Sequence, residues 1–127
     1  MNILVVDDKR SVRDYIDKIL TALGHTVSTA VNGLDAFEKA QQAPFHLYII
    51  DHLMPLMNGV TLSKNLKHTS LCAEVPILFM TTQETKGIEK LPEFNLFDSV
   101  IKKPLIEAEF IATVNSLING SASKIAL

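Results

Sequence analysis

Five residues stand where the chain could do chemistry: Asp7, Asp8, Asp51, Thr81 and Lys103. Each but Lys103 follows a short apolar run. Residues 3–6 stop at Asp7-Asp8, 47–50 at Asp51, 77–80 at Thr81, and a more polar run reaches Lys103. A buried lone carboxylate is costly unless it is paired, bound to metal or kept wet. Three carboxylates in one cleft repel one another, and the single ammonium of Lys103 leaves about two negative charges uncompensated. Oxygen donors with that surplus suit a hard divalent cation, Mg²⁺. A carboxylate can attack phosphorus and form an aspartyl-phosphate. Phosphoryl transfer mainly needs positioning and neutralisation of the equatorial oxygens. A metal, an ammonium and a hydroxyl can each take one of those oxygens. Asp51 is the expected nucleophile because its run is the central one. Asp7 and Asp8, being adjacent, should point to different sides, one reaching metal directly and the other through water.

These residues converge only if the runs lie parallel with their C-terminal ends along one edge. The chain reads as strand then helix, five times over. Strands are expected at 2–6, 25–30 (nearer the sheet edge), 46–50, 77–80 and 98–102. The first helix carries Val12, Ile16, Ile19, Leu20 and Leu23 on one face, with Ser11 as a candidate cap and Gly24 as its stop. Asn32-Gly33 is expected as a turn. The second helix, 34–42, should face inward through Leu34, Phe37 and Ala40, and the third, 59–68, through Leu62 and Leu66. Gly87 and Pro92 interrupt the fourth, 83–94, which should be short or irregular. Pro104 suits the entry to a last helix, 105–118, with Ile106, Phe110, Val114 and Leu117 inward. Runs without polar alternation predict a parallel sheet covered on both faces, an α/β domain.

Composition narrows the function classes. At 127 residues and 47% hydrophobic, the chain can bury one core without disulfide or structural metal. A net charge of -2 without a basic stripe argues against direct nucleic-acid binding. Cys72 is the only cysteine, which excludes an internal disulfide and a cysteine zinc site. Neither a signal peptide nor a run of membrane-spanning length is present, so a cytoplasmic location without membrane insertion is the expectation.

Taken in order, Asp7-Asp8, Asp51-x-x-Met54-Pro55-x-Met57-x-Gly59, Thr81 and Lys103-Pro104 resemble a response-regulator receiver domain of two-component signal transduction. The resemblance runs over residues 1–119 and leaves 120–127 as a tail or linker start. It is similar to the single-domain chemotaxis-type regulators and implies a flavodoxin-like sheet in the order 2-1-3-4-5. It further implies that Asp51 accepts a phosphoryl group from a histidine kinase or histidine phosphotransfer protein. Asp7, Asp8, Asp51 and the backbone carbonyl of Leu53 would serve Mg²⁺, Thr81 would turn toward the phosphoryl group, and Lys103 would pair with it. The domain would promote only its own phosphorylation and dephosphorylation. At Val100 the family usually has Tyr or Phe, so the aromatic switch is missing here.

Two rival readings use the same residues. One is a receiver-like interaction module without phosphate control, motivated by Val100 and the interrupted fourth helix. The other is a phosphohydrolase with an aspartyl-phosphate intermediate, against which the adjacency of Asp7 and Asp8 argues. Of the remaining candidates, His52 is expected as a loop side chain facing solvent, and His25, His46 and His68 as ordinary. Lys102 is expected to face outward, Met54 and Met57 to pack the loop, and Cys72 to be an inert thiol.

Overall fold

The five apolar runs form one parallel sheet in the computed structural model, which describes residues 1–120. The strands are β1 (Asn2–Val6), β2 (Thr26–Ala30), β3 (Leu47–Asp51), β4 (Ile77–Thr81) and β5 (Ser99–Lys102). Their order is β2-β1-β3-β4-β5, the flavodoxin-like order expected, with β2 at an edge. The proposed tail lies outside the described residues, apart from Gly120. Parallel pairing needs crossovers, and four helices supply them, α1 (Arg10–Ala22), α2 (Gly33–Gln42), α3 (Gly59–Lys67) and α4 (Thr85–Glu89), while α5 (Glu107–Ile118) follows β5. None of the described helices is long and apolar enough to cross a membrane.

Strand alternation sorts the core into two layers. Val5, Ile49, Met80 and Ile101 face α1 and α5, packing on Ile16, Leu20, Phe110 and Val114. Val6, Ile50, Phe79 and Val100 face the other side, on Ala36, Ala40, Leu62, Leu66 and Ile88. The same parity decides which strand-end side chains meet.

Several local expectations need correction. Ser11 lies inside α1, whose cap position is Lys9 and has no side-chain cap bond. Asn32 is a helix cap rather than a turn residue, its side chain accepting from the Asp35 N–H. Leu34 and Ile106 are exposed, because α2 buries Gly33, Ala36 and Ala40 and α5 begins only at Glu107. Leu23 is likewise exposed, lying after the last turn of α1. Pro104 therefore precedes α5 by three residues and does not open it. The fourth crossover is irregular as expected: five residues of α4, then a 3₁₀ turn over Pro92–Leu96. Gly24 ends α1 at φ 93°, in the left-handed region where glycine is unstrained.

Gly59 fixes the loop after β3 against the strand that carries Asp51. Its N–H donates to the His52 carbonyl at 2.8 Å. A Cβ there would lie 2.1 Å from the Asp51 carbonyl oxygen and 3.0 Å from Ile50 Cγ2. Backbone cannot retreat by that much cheaply. Gly59→Ala is expected to lose about 3 kcal/mol in urea unfolding, at the upper end of overpacking costs. Gly87→Ala, where a Cβ meets nothing within 4 Å, should instead gain about 0.5–1 kcal/mol from helix propensity. Equal effects of the two substitutions would contradict the close approach.

Candidate functional site

Parity and strand ends build the site from four of the five chosen residues. Asp7 continues the Val5 side of β1, and Asp51 the Ile49 side of β3, so both carboxylates emerge on the α1/α5 face. Lys103, just past β5, reaches across to them. Its Nζ donates to Asp7 Oδ2 and to Asp51 Oδ1, both at 3.0 Å. Asp7 is fully buried and Asp51 is 4% exposed. The other Asp7 oxygen, Oδ1, accepts from the Lys9 N–H at 2.8 Å, and Arg13 Nη1 donates to the Asp7 carbonyl at 2.8 Å. Asp8 points outward, as expected of its neighbour's opposite parity, with Lys9 Nζ 3.5 Å from Oδ1. Oxygens from Asp7, Asp8 and Asp51 nevertheless lie within 4.8 Å of one another.

Electrostatics follow from two buried carboxylates sharing one ammonium. Burial pushes the Asp51 carboxyl above its ordinary range; the Lys103 hydrogen bond opposes this and the Asp7 charge adds to it. Burial works against the Lys103 charge too, but its hydrogen bonds to Asp7 and Asp51, together with their charges, outweigh it and hold the ammonium above its usual value. Lys103 thus stays charged while Asp51 remains undercompensated, a carboxylate with unspent affinity for positive charge.

The donor set fits a hard cation. All three side chains offer carboxylate oxygen, and opposite oxygens of a Mg²⁺ octahedron stand about 4.2 Å apart at ordinary bond lengths. Only one pair among three ligands can be opposite, and adjacent oxygens stand about 3.0 Å apart, so the Asp7, Asp8 and Asp51 oxygens, now within 4.8 Å of one another, would draw together around the ion. Leu53 sits in the loop beyond Asp51 with its side chain exposed. An open groove of about 570 Å³, lined by Ser11, Val12, Tyr15, Thr82, Lys103, Pro104 and Leu105, adjoins the ammonium.

Thr81 is the residue whose side chain does not join them. It is fully buried, and its parity is that of Phe79, on the opposite face of the sheet from Asp51. Its Oγ1 accepts from the Gln83 N–H at 3.1 Å and lies 2.9 Å from His52 Nδ1. His52 is therefore misjudged by sequence reasoning: it is 8% exposed, with its ring 5.1 Å from that of Phe79. Burial holds its imidazole below the ordinary pKa, against the pull of the Asp51 charge. The missed signal was register. Asp51 pairs with Met80, so the next residues along, His52 and Thr81, stand side by side.

Other expectations hold. Val100 is buried opposite Phe79, which stacks on Phe97 at 3.9 Å, so an aliphatic side chain occupies position 100. Lys102 faces outward and pairs with Glu84. Met54 and Met57 pack against the core, and Cys72 is a buried free thiol. His46 has a structural role, Nδ1 accepting from the Asn2 N–H at 2.9 Å.

Comparison with known proteins gives one consistent answer. The sequence family described as "Response regulator receiver domain" matches residues 3–115. The chain is 31% identical over 130 residues to the transcriptional regulatory protein CusR of Escherichia coli, covering 98% of this chain and 54% of that one. It is 30% identical over 122 residues to a CpxR homolog of Haemophilus influenzae, covering 95% and 52%. The chain thus spans about half the length of the curated relatives it matches. Among solved structures, the chemotaxis response regulator CheY4 of Vibrio cholerae superimposes with a TM-score of 0.85 at 31% identity, covering 91% of this chain and 97% of that one. The receiver domain of the Pseudomonas aeruginosa sensor histidine kinase PA1611, solved with magnesium in its cleft, shares the fold at TM-score 0.85 and 21% identity, covering 93% and 97%.

Proposed function

The chain belongs to the response-regulator receiver family and is a phosphoacceptor signalling domain, and from that premise we propose that Asp51 is the acceptor. The observation that carries the proposal is the pairing of Lys103 with both Asp51 and Asp7 at 3.0 Å on the exit edge of the sheet. It leaves a nucleophilic carboxylate beside a fixed cation with acidic donors around it.

The residues divide the work. An Asp51 oxygen attacks the phosphorus of a phosphohistidine; the P–O bond forms, the P–N bond breaks, and the departing imidazole nitrogen keeps the bonding pair and takes a proton from solvent. Lys103, already between the two carboxylates, stays against Asp51 and donates to a phosphoryl oxygen as charge builds. Asp7, Asp8, Asp51 and the Leu53 carbonyl would hold Mg²⁺, which supplies charge neutralisation at the phosphoryl group when bound. Thr81 would hold a further oxygen after leaving its present partner. The phosphoryl donor is a histidine kinase or histidine phosphotransfer protein, approaching beside Lys103 along the Val12–Leu105 groove. The chemistry is confined to the domain's own carboxylate, whose phosphorylation and hydrolysis it promotes. The absence of a basic stripe supports a protein partner, rather than DNA, for this part of the chain.

Acetyl phosphate with Mg²⁺ tests the proposal without a kinase. The protein should gain the mass of one phosphoryl group, mapped to the peptide carrying Asp51, and a chelator should slow the gain about 100-fold, a loss of several kcal/mol of charge stabilisation. No gain in mass, or a label on another residue, refutes the assignment.

A further inference from the structure

The Thr81 hydroxyl is wholly buried, and its proton must go somewhere. Oγ1 already accepts from the Gln83 N–H, which uses one lone pair and no proton. Among the described contacts of Oγ1, only His52 Nδ1, at 2.9 Å, can accept. The neutral imidazole then carries its own proton on Nε2 and keeps Nδ1 free to accept. His52 is held at this contact from both sides of its backbone and by its ring. Its N–H donates to the Met80 carbonyl, its carbonyl accepts from Gly59, and its ring lies against Phe79. Strand parity meanwhile puts this pair on the opposite face of the sheet from Asp51, Asp7 and Lys103. A hydroxyl committed to His52 cannot at the same moment donate to a phosphoryl oxygen on Asp51.

We propose that His52 is a positioning residue for the phosphoryl reaction: it holds the Thr81 hydroxyl in the resting state, and Thr81 must leave it to serve a phosphoryl group on Asp51. This rests on Asp51 being the acceptor. Because His52 and Asp51 are consecutive, a shift of the β3 end on phosphorylation moves the nucleophile and the latch together.

Two substitutions separate latching from space filling. His52→Phe keeps a ring against Phe79 and removes the acceptor, leaving the buried Thr81 donor unsatisfied in the resting state only. His52→Asn keeps a side-chain acceptor near the Nδ1 position but loses ring packing. If His52 is a latch, His52→Phe is labelled by acetyl phosphate about fivefold faster than wild type, the worth of one neutral hydrogen bond, and holds its label longer. His52→Asn returns toward the wild-type rate although it is the worse packed of the two. In the resting wild type, the nitrogen NMR signal of His52 Nδ1 is that of an unprotonated acceptor and moves in Thr81→Val. A His52→Phe rate within twofold of wild type, or a protonated Nδ1, overturns the latch while leaving Asp51 as the acceptor. A wild-type protein that takes no label overturns the acceptor assignment and the latch with it.

Discussion

Replacing Asp51 with Asn is expected to abolish phosphoryl uptake and to make the resting protein more stable. The first effect follows from chemistry. An amide lacks the anionic oxygen that attacks phosphorus, so labelling by acetyl phosphate should fall by at least about 1000-fold, as when a nucleophile is removed outright. The second follows from charge. Two buried carboxylates share one ammonium, and burial raises the Asp51 pKa above its ordinary 3.8. A folded-state pKa above the unfolded one means the folded protein prefers the protonated acid. Stability from Asp51 is then complete below 3.8 and lost as pH rises through the raised value. At neutral pH the ionised group is a liability that Asn removes, leaving Lys103 and Asp7 paired one to one. With chelator present, the Asn variant should melt roughly 4 °C higher at neutral pH, about 1 kcal/mol for a domain of this size, and the gain should vanish near pH 3. Thermal melts across that range, set beside labelling rates, check both halves. Residual labelling would place the acceptor elsewhere, and an unchanged melting temperature would mean that Lys103 compensates both acids.

That trade of stability for reactivity is also why so much of the site is legible in the sequence. Apolar runs that stop at Asp7, Asp51, Thr81 and Lys103 break the pattern of a core for no packing reason, and functional sites are where local rules fail. The strands were readable because fully buried parallel strands are nearly all apolar, as in β3 and β4. Helix faces were less so: Leu34 fits an apolar stripe yet lies outside, since α2 buries its small residues Gly33, Ala36 and Ala40 instead, and Ile106 lies outside because α5 begins one residue later. His52 was hidden for a different reason. A histidine after a strand-ending acid looks like a loop residue until the pairing of β3 with β4 is known, and register is a long-range property. Once Asp51 is set opposite Met80, His52 beside Thr81 follows by counting one residue.

Lys103→Met should lose both stability and chemistry. Methionine keeps the length and apolar stem of lysine and deletes only the charge and its donors. What remains is Asp7 and Asp51 facing each other in a site where the lysine side chain is 12% exposed and the acids 0% and 6%. Removing one partner of a buried ion pair typically costs about 3–5 kcal/mol, because the stranded charges lose their compensation without regaining water; about 3 kcal/mol is expected here in chelator. The sign with pH is fixed by the acids. Without the ammonium the folded pKa of Asp51 climbs further, so the variant falls further behind wild type as pH rises through the acid range and recovers as that carboxyl protonates. The stabilising charge of Lys103 itself is lost only above its ordinary 10.5, since its folded value is raised. A divalent cation should restore part of the lost stability, and more in the variant than in wild type. Uptake from acetyl phosphate should nonetheless stay about 100-fold low at saturating Mg²⁺, the typical loss of one charge-stabilising donor. Rescue of folding without rescue of labelling separates a structural lysine from one that touches the phosphoryl group. In an Asp51→Asn background the same substitution should cost distinctly less, because Asp7 alone is then left bare. That coupling, read from a double-mutant cycle of unfolding free energies, measures how far one lysine serves two acids.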